Sequence, residues 1–276
     1  MAPKRDKSKV EAYHDRVARI YDAIYSGRYW EFYDRLTWEH LKRYLPTAHG
    51  ARVLDAGCGT GKWGLKLARS GFRVTFLDIS ARMLEEARDA YEGGRFPWAA
   101  AYVKADICAM EGLVDASVDL VVAQGDPLCS TEYPARAVRE FFRVLAPGSV
   151  CVASVDSFGA ALAHFVGAGD LEGLENFIKT GRTRWLAKKE GEDFSLQMFT
   201  PERLRKLFEA AGFEVLSLIG KPVLPLHAHQ ELLEDPASFR GLLAMEKDLW
   251  RSADLAVLAG HLQIAARKPL VSEEKS

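Results

Sequence analysis

The spacing of apolar positions changes several times along the chain, and each change marks an element. Tyr13, Val17, Ile20 and Ile24 recur at helical spacing from Val10 to about Tyr25, and Trp30 to Leu45 reads as a second helix closed by Pro46. Arg52 to Asp55 is a short apolar strand, followed by a helix with Trp63, Leu67 and Ala68 on its core face. Phe72 to Asp78 reads as a buried strand, and Ser80 is a suitable cap for a helix carrying Met83, Leu84 and Ala87 on one side. Two further strands, Ala99 to Ala105 and Val118 to Ala123, lead to a helix over Pro134 to Leu145. Pro147-Gly148 ends that helix before a fifth strand, Val150 to Val155. Regular strand–helix alternation is the pattern of a parallel sheet covered on both faces.

The rhythm then breaks twice. Residues 156–199 hold one or two helices with Leu162, Phe165, Leu171, Leu174, Phe177 and Ile178, then a polar, hairpin-like piece from Arg182 to Phe199. Thr200-Pro201 caps and starts a helix with Leu204, Leu207, Phe208 and Ala211 inward, Gly212 ends it, and Phe213 to Ile219 is a sixth strand. The second excursion, residues 221–260, contains a helix expected over Pro236 to Ala259. His261 to Arg267 alternates Leu262, Ile264 and Ala266 and is expected as a final edge strand.

The stretch Val53-Leu-Asp-Ala-Gly-Cys-Gly-Thr-Gly-Lys-Trp-Gly64 carries the chemistry. A strand that turns sharply into a helix through Gly57, Gly59 and Gly61 needs backbone angles that glycine tolerates. It also leaves no side chain between the backbone and a ligand, and the helix N-terminus offers open N–H groups. Gly59-x-Gly61-x-x-Gly64 fits dinucleotide spacing, with Asp78 roughly 20 residues on, where a ribose-binding acid belongs. A nicotinamide-linked oxidoreductase therefore stands as one reading.

Asp55 followed by Gly57-Cys-Gly-Thr-Gly61 also resembles the Asp/Glu-x-Gly-x-Gly-x-Gly motif of class I methyltransferases dependent on S-adenosylmethionine. The resemblance covers Arg52 to Val155, Thr200 to Ile219 and His261 to Lys268. It implies an α/β fold: a doubly wound seven-stranded sheet in the order 3-2-1-4-5-7-6, last strand antiparallel. An N-terminal helical lid over residues 1–46 would precede a methyltransferase domain over 47–270, with insertions after strands five and six, at about 156–199 and 221–260. Tyr21-Asp-Ala-Ile-Tyr25 resembles a Tyr-Asp-x-x-Tyr segment whose tyrosines border the cofactor, and Tyr13 is expected to join them.

By the same resemblance the methionine end of S-adenosylmethionine lies along Asp55, Gly57, Cys58 and Gly59, with Gln124-Gly125 at its other side. Asp78 would accept from both ribose hydroxyls, and Asp106 from the adenine amino group. Ile79 and Ile107 would pack on the ring, and Met83 is expected nearby. Asp119 is expected to be structural. The activity implied is methyl transfer to a small or medium-sized organic acceptor by in-line substitution, where alignment supplies much of the acceleration. An acceptor that must lose a proton needs a base. Asp126, Tyr133, His227 and His229 are the catalytic candidates, although Asp126-Pro127 reads first as a turn and His227-Ala-His229 as a polar loop. No third ligand accompanies the two histidines, so no metal is expected.

Composition narrows the alternatives. A net charge of −1 over 276 residues argues against a large basic nucleic-acid footprint, so an RNA or protein methyltransferase is the alternative within the enzyme class. Arg182, Arg184, Lys188 and Lys189 are a local basic stretch, read as a solvated face. Gly125-Asp-Pro-Leu128 departs from the Asn/Asp-Pro-Pro-aromatic signature for nucleobase amines. A non-catalytic protein that retains cofactor binding is a further alternative. Four cysteines without CxxC spacing, Cys129 among them as a small buried side chain, suit a reducing cytoplasm. No run approaches the roughly 18 apolar residues of a membrane span, and the basic N-terminus lacks the apolar region of a signal peptide.

Overall fold

The computed structural model describes residues 7–184 and 194–270. Three helices, α1 (Lys7–Val17), α2 (Tyr21–Ile24) and α3 (Arg28–Leu41), precede the strand β1 (Arg52–Ala56). Alternation follows through α4 (Lys62–Arg69), β2 (Arg73–Asp78), α5 (Ala81–Glu92), β3 (Ala101–Lys104) and β4 (Val118–Ala123). The short α6 (Pro127–Ser130) and α7 (Pro134–Val144) lead into the long β5 (Leu145–Asp156). The first excursion holds α8 (Phe158–Ala168), α9 (Leu171–Thr180) and a two-stranded ribbon, β6 (Arg182–Thr183) with β7 (Leu196–Gln197). Lys188 and Lys189, with the middle of the expected hairpin, lie outside the described residues. The chain then forms α10 (Pro201–Glu209), β8 (Glu214–Lys221), α11 (Pro236–Leu249) and β9 (His261–Arg267).

Seven strands form one sheet in the order β3-β2-β1-β4-β5-β9-β8. The first five run parallel, and β9 is antiparallel to both β5 and β8. Because successive side chains of a strand point to opposite faces, β1 sends Leu54 and Ala56 into one core cluster and Val53 into the other. A third cluster joins Phe32 and Leu36 of α3 to Ile219 of β8 and Phe239 of α11. Asp119 accepts from the backbone N–H of Arg52 at 2.8 Å.

Several expectations change. The strand β5 begins at Leu145, so Pro147-Gly148 lies inside the strand and not in a break before it. His261–Arg267 is no edge strand: it lies between β5 and β8, and Leu262 to Ala266 are all buried, odd and even positions alike. The edge belongs to β8. The helix expected through Ala259 stops at Leu249, where Arg251 and Ser252 donate to Asp248 and Leu249, three residues back. That tighter pattern unwinds the last turn into a 3-10 stretch over Ala253–Leu258. The first helix likewise tightens at Ala18–Ile20. Its apolar stripe rotates, so Tyr13 and Val17 stay buried while Ile20 is 56% exposed and Ile24 45% exposed.

The turn from β1 to α4 is held by sterics as well as hydrogen bonds. Gly61, at φ +87°, caps α4, and a Cβ on Gly64 would stand 2.1 Å from the Phe76 ring of β2. Gly64→Ala should therefore lower stability by about 1–3 kcal/mol through overpacking, read as a lower urea midpoint. An unchanged midpoint would contradict this packing.

Candidate active site

The carboxyl ends of β1, β2, β4 and β5 open into a cavity of about 820 Å³. This lies toward the upper end of the roughly 300–1,000 Å³ of ligand sites. Gly57, Cys58 and Gly59 line it. A Cβ on Gly57 would meet Pro127 at 2.6 Å, so only glycine lets the loop pass this close to α6. Gly59, at φ +54°, faces the Tyr21 ring, 3.8 Å from where its Cβ would be, and its N–H donates to Asp78 Oδ2 at 2.9 Å. The other oxygen of Asp78 accepts from Ser80 N, also at 2.9 Å. Each oxygen keeps a second lone pair for a ligand hydroxyl. Burial pushes the Asp78 carboxyl up, against His14 and the backbone N–H groups.

The N-terminal helices are tied to this loop by short polar contacts. Thr60 Oγ1 donates to Asp22 Oδ1 at 2.6 Å, and Lys62 pairs with Asp34 at 2.9 Å. Ser80 Oγ, which caps α5 by accepting from Met83 N, donates to Asp15. Tyr13, Tyr21 and Tyr25 all line the cavity, where Tyr21 and Tyr25 lie 4.9 Å apart between ring centroids.

Opposite the loop, a charged unit closes the cavity. Gly125 and Asp126 both take left-handed backbone angles, φ +82° and +65°. That conformation is costly for a non-glycine residue. Asp126 Oδ2 receives a hydrogen bond at 2.8 Å from His261 Nδ1, which also lies 3.4 Å from Asp156 Oδ1. Register explains the meeting. His261 opens β9, its cross-strand partner on β5 is Asp156, and its partner on β8 is Lys221.

Burial alone would depress the His261 imidazolium, but the charge and hydrogen bond of Asp126, helped by Asp156, hold it above its ordinary value. Burial and the neighbouring Asp126 push Asp156 up to about 7. For Asp126, burial is outweighed by His261, Ser154 and Lys221, and its carboxyl stays below the usual range. Three groups this close share protons and titrate as a unit. Behind them Lys221 is fully buried, its Nζ 2.5 Å from Thr37 Oγ1 and over the Tyr33 ring; burial lowers it to about 7. Cys129 is buried and its Sγ accepts from Asp156 N at 3.1 Å.

The cavity brings together most of the residues singled out by sequence: Ile79, Asp106, Ile107, Gln124, Gly125, Asp126, Tyr133 and His227 all line it. Asp106 Oδ1 accepts from Cys108 N at 2.9 Å, and His227 packs edge-on against Tyr29, 5.0 Å between centroids. Three do not reach it. Asp55 is 1% exposed and turns beneath the loop, its Oδ2 accepting from Gly64 N at 2.7 Å. Met83 points into the core from the buried side of α5. His229 is exposed and faces Glu231 at 3.3 Å. His261 and Asp156 had no sequence motif to flag them. Their ligand-type atoms and that of Asp126 lie within 4.8 Å of one another, a cluster that sequence spacing does not reveal.

The glycine loop, the doubly bonded Asp78 and an open face at Gly125, where a Cβ would meet nothing within 4 Å, fit an adenosyl amino-acid cofactor. A family model described as a methyltransferase domain matches residues 53–148. The tRNA 5-carboxymethoxyuridine methyltransferase of Escherichia coli K12 is 23% identical over 89% of this chain and 92% of its own length. The malonyl-[acyl-carrier protein] O-methyltransferase of Enterobacter lignolyticus is 38% identical, but over 54% of this chain, which spans about half (53%) of that relative. A solved methyltransferase structure from Methanosarcina mazei, described as dependent on S-adenosylmethionine, superposes with a TM-score of 0.60. It is 23% identical over 84% of this chain and 98% of that one, which bears on the fold alone. With that sheet order, that loop and those relatives, the chain carries a methyltransferase domain of the class I kind that uses S-adenosylmethionine.

Proposed function

We propose that the protein methylates a small or medium-sized organic acceptor held in this cavity, by in-line substitution, with Asp126, His261 and Asp156 taking the acceptor's proton. The observation that carries the proposal is the hydrogen-bonded His261–Asp126 pair with Asp156 beside it, on the cavity wall next to Gln124-Gly125. S-adenosylmethionine, when bound, supplies an activated methyl group on a sulfonium. The chain's part is to bind, align and remove a proton.

In this reading Asp78 holds the ribose hydroxyls, Asp106 the adenine amino group, and Ile79 and Ile107 pack on the ring. Gly57, Cys58 and Gly59 border the methionine end, and Tyr13, Tyr21 and Tyr25 cover it from the N-terminal helices. His261 Nδ1 is engaged by two carboxylates, and Nε2 has no hydrogen-bond partner among the described residues, so when the ring is neutral Nε2 is the nitrogen left to take a proton. A tRNA acceptor is the second reading, favoured by the match over 92% of the E. coli tRNA enzyme. Tight, salt-sensitive tRNA binding would support it.

Three outcomes test the proposal. With methyl-labelled cofactor and a panel of small acceptors, His261→Gln should lose about 100-fold or more in transfer while keeping its affinity for S-adenosylhomocysteine. Transfer at the wild-type rate would remove His261 from the chemistry. Asp78→Asn should weaken S-adenosylhomocysteine about tenfold or more by calorimetry, since hydrogen bonds to a charged acceptor are worth about 1.5–3 kcal/mol. Equal affinity would refute the ribose role.

The third outcome is a pH profile. Asp156 is raised to about 7, so below neutrality the unit already holds a proton and accepts no other. The wild-type kcat/KM should therefore rise with pH, by about tenfold per unit on the acid side, and level off above neutrality. A flat profile would contradict the shared-proton unit.

A further inference from the structure

We infer that the acceptor is an amine, bound as its ammonium cation between Asp126, Asp156 and an aromatic wall. The inference rests on the methyl-transfer reading above and narrows it to one substrate class. The wall is continuous: Tyr25 meets Trp30 edge-on at 5.0 Å between centroids, Trp30 meets Tyr33 at 5.6 Å, and Tyr33 meets His261 at 4.7 Å. Ring faces attract cations, most strongly where water is excluded. The wall ends at two carboxylates that the cofactor reading does not use. One of their oxygens, Asp126 Oδ1, is buried and has no hydrogen-bond partner among the described residues. A buried carboxylate oxygen calls for a donor. An ammonium has N–H groups and a charge to offer the two carboxylates on the cavity wall, whereas a carboxylate or phosphate acceptor has neither and would be repelled.

The remaining charge points the same way. Among the described residues lining the cavity, seven are Asp or Glu and one, Lys62, is Lys or Arg; Lys62 is held by Asp34 at 2.9 Å. Lys221 stands behind the wall on Thr37 and does not line the cavity. The described cavity lining therefore offers no unengaged Lys or Arg to an anionic acceptor.

The reaction balances without another reactant. The bound ammonium first gives one proton to the Asp126–His261–Asp156 unit, which frees the nitrogen lone pair. That lone pair then takes the methyl carbon: the N–C bond forms as the C–S bond breaks, and its electron pair stays on sulfur. The sulfonium charge disappears, the nitrogen becomes an N-methylammonium, and the unit returns its proton to solvent.

The test is calorimetric and uses protein saturated with S-adenosylhomocysteine, whose sulfur is neutral, so that the acidic side chains have no sulfonium to balance. Three matched probes are titrated: 2-phenylethylamine, 2-phenylethanol and 3-phenylpropanoate. The amine should bind about tenfold or more tightly than the alcohol, and the anion most weakly. Asp156→Asn should bring the amine close to the alcohol without changing affinity for S-adenosylhomocysteine. An alcohol or anion that matches the amine overturns the inference, as does failure of all three to bind. Protein that does not bind S-adenosylhomocysteine would fail the cofactor reading and this inference with it. Protein that binds it but ranks the probes otherwise loses the amine alone.

Discussion

The hydrogen bond from Gly64 N–H to the Asp55 carboxylate, 2.7 Å long and buried, fixes the geometry on which the rest of the structure depends. It joins the end of β1 to the first turn of α4, so the loop between them can take one shape. Burial pushes the Asp55 carboxyl up to about 7, against the pull of the Gly64 N–H. A desolvated acid is tolerated here because it satisfies an N–H that α4 cannot pair within its own first turn. From that fixed loop, Gly59 reaches Asp78, Thr60 reaches Asp22, and Lys62 reaches Asp34. One buried contact thus orients both the cavity floor and the helices that cover it.

The opposite wall follows from sheet topology. In a sheet with β9 inserted antiparallel between β5 and β8, the end of β5, the start of β9 and the end of β8 lie side by side. Asp156, His261 and Lys221 occupy those three positions. Asp126 joins them from the end of β4 through a left-handed turn. The unit is assembled by register across four strands and lies beside the loop because both stand at carboxyl ends of the parallel strands.

Much of this was legible in the chain. The parallel core was readable because each element carries its own signal: Ser80 caps α5, Thr200-Pro201 opens α10, and three alternate glycines end β1. Asp55 was legible as part of a motif but not as a support, because only the fold shows that its side chain turns under the loop. His261 and Asp156 were hidden for another reason. They are 105 residues from each other in sequence and meet only through strand pairing. The expected strand order, joined to the strand ends, would have put them together. The boundary of α11 and the break after Val17 escaped because a tightening from α to 3-10 leaves little trace in apolar spacing.

The most direct test of the account is calorimetric titration of the purified protein with S-adenosylhomocysteine and, separately, with NAD. The account predicts saturable binding of S-adenosylhomocysteine at one site per chain, with NAD neither binding nor competing. Binding of NAD at the same site, with no binding of S-adenosylhomocysteine, would contradict it.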